Sequence, residues 1–205
     1  MPRRSPFASC ACLGLLTLLI SACSQPPAGD YAQALLEARE AKDQMLRTAA
    51  DSPVPRDRRQ VILPLSYFPP DPAYRVPAAL EPDPQSGRVV QMLTSTGQQR
   101  ATQVMGVLQF VLNGQRLKLE AFVEEGSNGQ RLFVPFTDAT SGRETYGAGR
   151  YLDLDRTGTG IYVIDFNTAY NPYCAYNPTY DCPVPPRENR LPVAIRAGEK
   201  TPRAK

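Results

Sequence analysis

A mainly β domain, an antiparallel sandwich or open barrel of about eight strands with one N-terminal helix, is predicted by three features of this 205-residue sequence. Nine prolines lie in residues 53–84 and six in residues 172–192, but only Pro135 in residues 85–171. Because proline interrupts a hydrogen-bonded ladder, the middle must hold the regular sheet. That middle carries Asn113-Gly114, a strong signal for a type I′ hairpin. Short runs of apolar and β-branched residues recur between turn-rich links.

Taken in order, residues 24–29 read as a tether, and Asp30 can cap a helix over residues 31–49 with a thin apolar stripe of Leu35, Ala38, Met45, Leu46 and Ala49. Such a helix packs on a domain rather than forming one. Strands are expected at residues 74–80, 88–93, 102–112, 115–123, 131–136, 150–154, 161–166 and 192–196. In the hairpin, setting Leu112 opposite Gln115 pairs Phe110 with Leu117, Leu108 with Leu119, Gly106 with Ala121 and Val104 with Val123. A slip of one residue would oppose these to Arg116, Lys118 and Glu120, so the register is self-consistent.

At the N-terminus, Arg3 and Arg4 precede an apolar run over residues 11–20, half the length a bilayer-spanning helix needs. The pattern is that of a secretory signal, and Ile20-Ser21-Ala22-Cys23 resembles the bacterial lipobox, whose cysteine is lipidated and becomes the mature N-terminus. By the same resemblance, Ser24 rather than Asp after the cysteine implies the outer membrane. The expected organisation is a signal peptide over 1–22, a lipidated tether over 23–29, a helix over 30–50, one β-rich domain over 51–200 and a tail over 201–205. The expected location is the periplasmic face of a bacterial outer membrane, held through acyl chains.

Removing residues 1–22 takes Arg3 and Arg4 away, leaving 21 basic against 20 acidic residues. A net charge near +1 supplies no field for gripping nucleic acid. Without histidine, Ser-His-Asp and Cys-His catalysis and His-ligated zinc are excluded. Cys10 and Cys12 leave with the signal and lipid consumes Cys23, so Cys174 and Cys182 remain. In an oxidising compartment they read as a disulfide, worth roughly 2.5 kcal/mol for so short a ring, the alternative being two buried thiols. The fragments Gly147-Ala148-Gly149 and Gly158-Thr159-Gly160 lack the rest of a dinucleotide loop, so no nucleotide is expected. Asp153-Leu154-Asp155 opens like a calcium loop, but Thr157 and Ile164 stand where ligands belong; no metal or other cofactor is expected.

Seven of the ten tyrosines fall in residues 146–180, among Asn167, Asn171 and Asn177. Tyrosine faces with asparagine donors and acceptors suit a polar neutral ligand such as a glycan. The competing reading is that these side chains supply hydrogen bonds to an irregular, Pro-rich segment without a ladder of its own.

The motifs Ser66-Tyr67-Phe68-Pro69, Tyr74-Arg75-Val76, Phe136-Thr137-Asp138, Thr145-Tyr146-Gly147 and Gly149-Arg150-Tyr151 continue through Asp165-Phe166-Asn167, Ala169-Tyr170-Asn171-Pro172, Cys174-Ala175, Cys182-Pro183, Glu188-Asn189-Arg190-Leu191 and Ala197-Gly198-Glu199-Lys200. Together they resemble the bacterial domain-of-unknown-function 1684 family over residues 40–200. The resemblance implies domain boundaries and candidate residues, and no mechanism. Longer relatives carry an extra portion ahead of the Tyr-Phe-Pro stretch, where this chain has only its helix.

The functional expectation is a non-enzymatic envelope lipoprotein that binds a cell-wall glycan, peptide or protein partner. Its candidate binding residues are Tyr146, Arg150, Asp165, Asn167, Tyr170, Asn171, Tyr173, Glu188 and Asn189. The alternative is a hydrolase built on two of Asp138, Glu144, Asp153, Asp165 and Glu188. Strand alternation puts Arg150 with Leu152 and Leu154, and Asp165 with Ile161 and Val163. Two charges on apolar faces of consecutive strands are therefore expected to pair.

Overall fold

The computed structural model describes Met1 and residues 28–85, 87–124 and 126–203; the expected leader, the lipobox and Cys23 lie outside the described residues. Among these the chain forms helices α1 (Ala28–Thr48) and α2 (Arg59–Ile62). Its strands are β1 (Arg75–Pro82), β2 (Val89–Leu93), β3 (Gln99–Leu112), β4 (Gln115–Glu124), β5 (Arg131–Phe136), β6 (Arg150–Asp155) and β7 (Ile161–Asp165). They make one antiparallel sheet in the order β6-β5-β4-β3-β1-β7, with β2 also on β3. The ends of that path, β6 and β7, are consecutive in sequence and meet, so the sheet nearly closes into a barrel.

The β3-β4 hairpin turns at Asn113 (φ 50°) and Gly114 (φ 76°), the two positive angles of a type I′ turn. Its register pairs Leu112 with Gln115, Phe110 with Leu117, Leu108 with Leu119 and Gly106 with Ala121, as expected. Beyond Gly106 a bulge adds one residue on β3, so Val104 opposes Phe122 rather than Val123. Here the long strand changes partners: residues 99–103 pair with β2 and residues 106–110 with β1. Gly106 has φ 154°, and a Cβ on it would lie 2.2 Å from the Glu81 carbonyl oxygen. Only glycine lets β1 approach the bulge this closely.

The barrel interior takes alternate residues of every strand but β2: Val76 and Ala78, Leu108 and Phe110, Leu119 and Ala121, Leu132, Val134 and Phe136, Leu152 and Leu154, Tyr162 and Ile164. On the other face Val104, Phe122, Phe133 and Tyr151 join Met92 in a second, smaller cluster. A Pro-rich C-terminal segment runs over that face and then returns to the barrel, where Leu191, Ile195 and Ala197 enter the core. The expected eighth strand, at residues 192–196, does not form. Pro192 has no N–H, Ile195 donates its N–H to the Asp138 carboxylate at 3.1 Å, and the Val193 carbonyl meets the Ala139 N–H at 3.0 Å.

Helix α1 packs on the domain as expected, but through a more polar face than its apolar stripe indicates. Leu35 and Leu46 are buried, whereas Met45 is 48 % exposed. Arg39 lies between them on the inward face, stacked 4.5 Å from the Tyr67 ring and donating to the Phe68 carbonyl at 2.9 Å. Lys42 reaches Glu199 at 2.6 Å, and the Asp43 carboxylate accepts from the Leu65 N–H at 2.9 Å.

Substituting Gly106→Ala is expected to lower the unfolding free energy by about 1–3 kcal/mol, the range for a strained backbone position. Urea unfolding measures this, and an unchanged midpoint would show that β1 and β3 do not need the close approach.

Candidate functional site

The irregular segment of residues 166–200 is held by side chains from the barrel and from itself. Arg150, on the inner face of β6 with Leu152 and Leu154, is 1 % exposed. Its Nη2 donates to Asp138 Oδ2 at 2.9 Å and to the Ile195 carbonyl at 2.8 Å; its Nη1 donates to the carbonyls of Ala197 and, at 3.2 Å, Glu199. Asp138 Oδ1 accepts from the Thr140 N–H at 2.7 Å, the Thr140 hydroxyl at 2.6 Å and the Ile195 N–H. Burial pulls the guanidinium below its ordinary value, and Asp138 opposes that shift.

The expected Arg150–Asp165 pair is therefore not formed. The burial of Arg150 is as expected, but β7 faces the other way. Tyr162 and Ile164 point inward, Ile161 and Val163 are 57 % and 43 % exposed, and Asp165 shares their outer side. There it lies under α1, accepting from the Tyr31 hydroxyl at 2.7 Å, with Arg75 at 3.9 Å. An apolar residue on a strand need not face the core, and here that assumption misdirected the pairing.

Asn189 and Asn167 behave as peptide groups, each both accepting and donating. Asn189 accepts from the Glu120 N–H at 2.7 Å and donates to the carbonyls of Glu120 and Pro135 at 2.9 and 2.8 Å. It thereby bridges β4 and β5, which share a single register pair, Phe122 with Phe133. Asn167 does the same at Asp71, accepting from its N–H at 3.0 Å and donating to its carbonyl at 2.8 Å. Asn171 donates to the Lys200 carbonyl at 2.8 Å, and its N–H reaches Glu199 Oε2, also at 2.8 Å. That buried Glu199 carboxylate also takes the Tyr176 hydroxyl at 2.6 Å and Lys42. Burial beside Glu199 drives the Tyr176 phenol well above its usual value. These three asparagines and Arg150 are thus scaffold, in line with the competing reading of the segment.

Of the candidate binding residues, Tyr170 and Tyr173 do share a concavity, a cleft of about 390 Å³. One wall is the outer face of the sheet, with Phe133, Tyr151 and Asp153; the other is the overlying segment, with Tyr170, Tyr173 and Tyr180. Tyr151 and Tyr170 pair as strand neighbours, and their rings meet edge to face with centroids 5.7 Å apart. Tyr173 and Tyr180 form a second such corner at 5.4 Å. The Tyr170 hydroxyl donates to Asp153 at 2.9 Å and that of Tyr151 to the Pro183 carbonyl. Burial raises both phenols above their ordinary value, so both stay protonated at neutral pH.

The far end of the cleft is pinned to the β2-β3 turn. Asp181 accepts from the Thr96 N–H and hydroxyl at 3.1 and 2.8 Å, and Arg100 donates to its carbonyl at 2.6 Å. Hydrogen bonds from Thr94 and Thr96 hold the Asp181 carboxyl below the usual range. Cys182 also lines the cleft, and the Cys174 N–H meets its sulfur at 3.1 Å. Both cysteines are thiols here, and burial pushes the Cys182 thiol up to about 12.

The remaining candidates lie elsewhere. Tyr146 directs its hydroxyl at the Cys174 sulfur, 3.9 Å away, and is not a wall of the cleft. Glu188 is exposed beside an apolar groove between β2 and residues 184–187. Among the carboxylates weighed for hydrolysis only Asp153 lines the tyrosine cleft; Asp138 is consumed by Arg150, and Glu144 pairs with Arg196 at 2.9 Å. Sequence reasoning missed Tyr151, Tyr180, Arg100, Glu124 and Asp181 as cleft walls. Alternation along β6 already put Tyr151 and Asp153 opposite Arg150 and Leu152, but nothing in the sequence shows which segment covers that face.

Removing one partner of the Arg150–Asp138 pair strands a buried charge, so Arg150→Met or Asp138→Asn should each lose about 3–5 kcal/mol of stability. The double substitution should cost clearly less than the sum in urea unfolding. Full additivity would show that the two do not act as a unit.

Comparisons with known proteins fit this geometry. No curated protein matches the chain. A solution NMR structure of an uncharacterised protein from Haloarcula marismortui is similar, at 37 % identity over 84 % of this chain and 95 % of that one, with a TM-score of 0.67. The model of the protein family of unknown function DUF1684 matches residues 63–200, the part that contains the barrel, the Arg150–Asp138 pair and the cleft. The chain belongs to the DUF1684 family.

Proposed function

We propose that this protein is a non-enzymatic binding module of the bacterial cell envelope, taking a cell-wall glycan, peptide or protein partner in the tyrosine cleft. The observation that carries the reading is the cleft itself, in which four tyrosines and few aliphatic side chains line a concavity of small-molecule size. The rings offer flat apolar contact at low entropic cost, and the hydroxyls offer polar contact. The four tyrosines stand on two framed walls, which favours a preformed site over an induced one.

On the same reading the chain is lipidated at Cys23 and faces the periplasm from the outer membrane. The support is the lipobox pattern after a short apolar run. Cys174 and Cys182, already in contact, then form a disulfide there as a thiol-disulfide oxidant takes two electrons and two protons from them. The bridge would tie Tyr173, next to Cys174, to the Asp181 end of the cleft.

Two measurements test this. With tyrosine rings isotopically labelled, a muropeptide digest should shift the NMR signals of Tyr151, Tyr170, Tyr173 and Tyr180, and Tyr173→Ala should weaken the effect about tenfold, as for an exposed aromatic contact worth 1–2 kcal/mol. Shifts confined to other tyrosines would place binding elsewhere. Intact-mass analysis of the protein purified from envelopes without reductant should show the acyl mass on Cys23 and no alkylation of Cys174 or Cys182. A Cys23→Ser chain that still fractionates with membranes would contradict the anchor.

A further inference from the structure

We infer that the tyrosine cleft selects a ligand group carrying a fixed positive charge, an ammonium or quaternary ammonium. The inference rests on the cleft being the binding site and narrows what it takes. Its walls carry Arg100 against Glu124, Asp153 and Asp181. Arg100 lies 3.6 Å from Asp181, so those two charges answer each other. Arg131, a guanidinium close enough to feel Asp153, is held by Asp155 at 2.8 Å. Among the described residues neither Asp153 nor Glu124 has a salt-bridge partner, and both negative charges add to burial in raising the Tyr170 phenol. The cleft is therefore aromatic and net negative, the two properties that attract an organic cation.

A neutral glycan would gain from the rings and could hydrogen-bond the carboxylates, but only a cation gains from their net charge, and an anionic ligand would be repelled. The molecule already seats a cation on one of these rings, since the Lys42 ammonium lies 5.1 Å from the Tyr170 centroid while paired to Glu199. Of the two edge-to-face corners, Tyr151 with Tyr170 sets rings at 89° across the two walls, and Tyr173 with Tyr180 sets rings at 77° within the overlying wall. Rings at right angles present electron-rich faces in more than one direction, as a compact cation requires.

The test titrates the full chain in nonionic micelles, with labelled tyrosine rings, against choline, Nα-acetyl-lysine amide, uncharged 3,3-dimethylbutanol and chitotetraose. Choline or the lysine derivative should shift the four cleft tyrosines saturably. Dimethylbutanol, the shape of choline without its charge, should bind about two- to thirtyfold more weakly, the span of cation–π contributions. Asp153→Asn with Glu124→Gln should shrink that difference to what the rings alone supply; both side chains are exposed, and the amide oxygen at 153 still accepts from Tyr170. Tighter choline binding assigns a quaternary headgroup, and tighter binding of the lysine derivative assigns a peptide ammonium. Equal binding of choline and dimethylbutanol overturns the inference. Response to chitotetraose alone overturns it while leaving the cleft as the binding site, and silence with all four overturns it and leaves the cleft to be decided by the muropeptide titration.

Discussion

The buried Arg150–Asp138 pair is the constraint on which the rest of the structure depends. A guanidinium on the inner face of a barrel strand costs several kcal/mol to desolvate unless every donor is met. Here its Nη1 and Nη2 donors are met by one carboxylate and by carbonyls of Ile195, Ala197 and Glu199. Those carbonyls belong to the very segment that fills the barrel with Ile195 and Ala197. Charge satisfaction and core packing are therefore the same event, and neither can be completed without the other. One N–H of the guanidinium, Nε, has no partner, so the clamp is not fully satisfied.

From that clamp the C-terminal segment is fixed in both directions. Toward the C-terminus, Gly198 (φ 76°) lets the backbone pass where a Cβ would lie 2.5 Å from the Ala169 carbonyl oxygen, and Glu199 then gathers Asn171, Tyr176 and Lys42. Toward the N-terminus, Asn189 and Asn167 replace ladder bonds that a proline-rich chain cannot make. The segment so fixed forms the second wall of the tyrosine cleft. The cleft thus owes its shape to buried polar groups at some remove from it.

The barrel was legible in the sequence because its strands alternate cleanly and its hairpin carries Asn113-Gly114. The period-2 pattern placed the hairpin pairs correctly up to Gly106, and failed at the bulge, which adds a residue without altering the local apolar pattern. It also placed Arg150 inward. It could not supply Asp138 as the partner, because that contact joins β6 to a loop through tertiary packing alone. For β7 two apolar rows compete, Ile161 with Val163 and Tyr162 with Ile164, and only the second is core. The inward face of α1 was illegible for a related reason: Arg39, Lys42 and Asp43 look like solvent positions until their partners on residues 65–68 and 199 are in place.

If the clamp makes the C-terminal segment part of the barrel core, the segment should open only when the whole domain unfolds. Native-state hydrogen exchange across a series of urea concentrations tests this directly. The amides of Leu191, Ile195, Glu199 and Lys200 should exchange with the same free energy and the same urea dependence as those of Leu108 and Leu119 at the centre of β3 and β4. Exchange of the segment through a smaller, urea-insensitive opening while Leu108 and Leu119 stay protected would contradict the account, making the segment a detachable cover rather than a part of the fold.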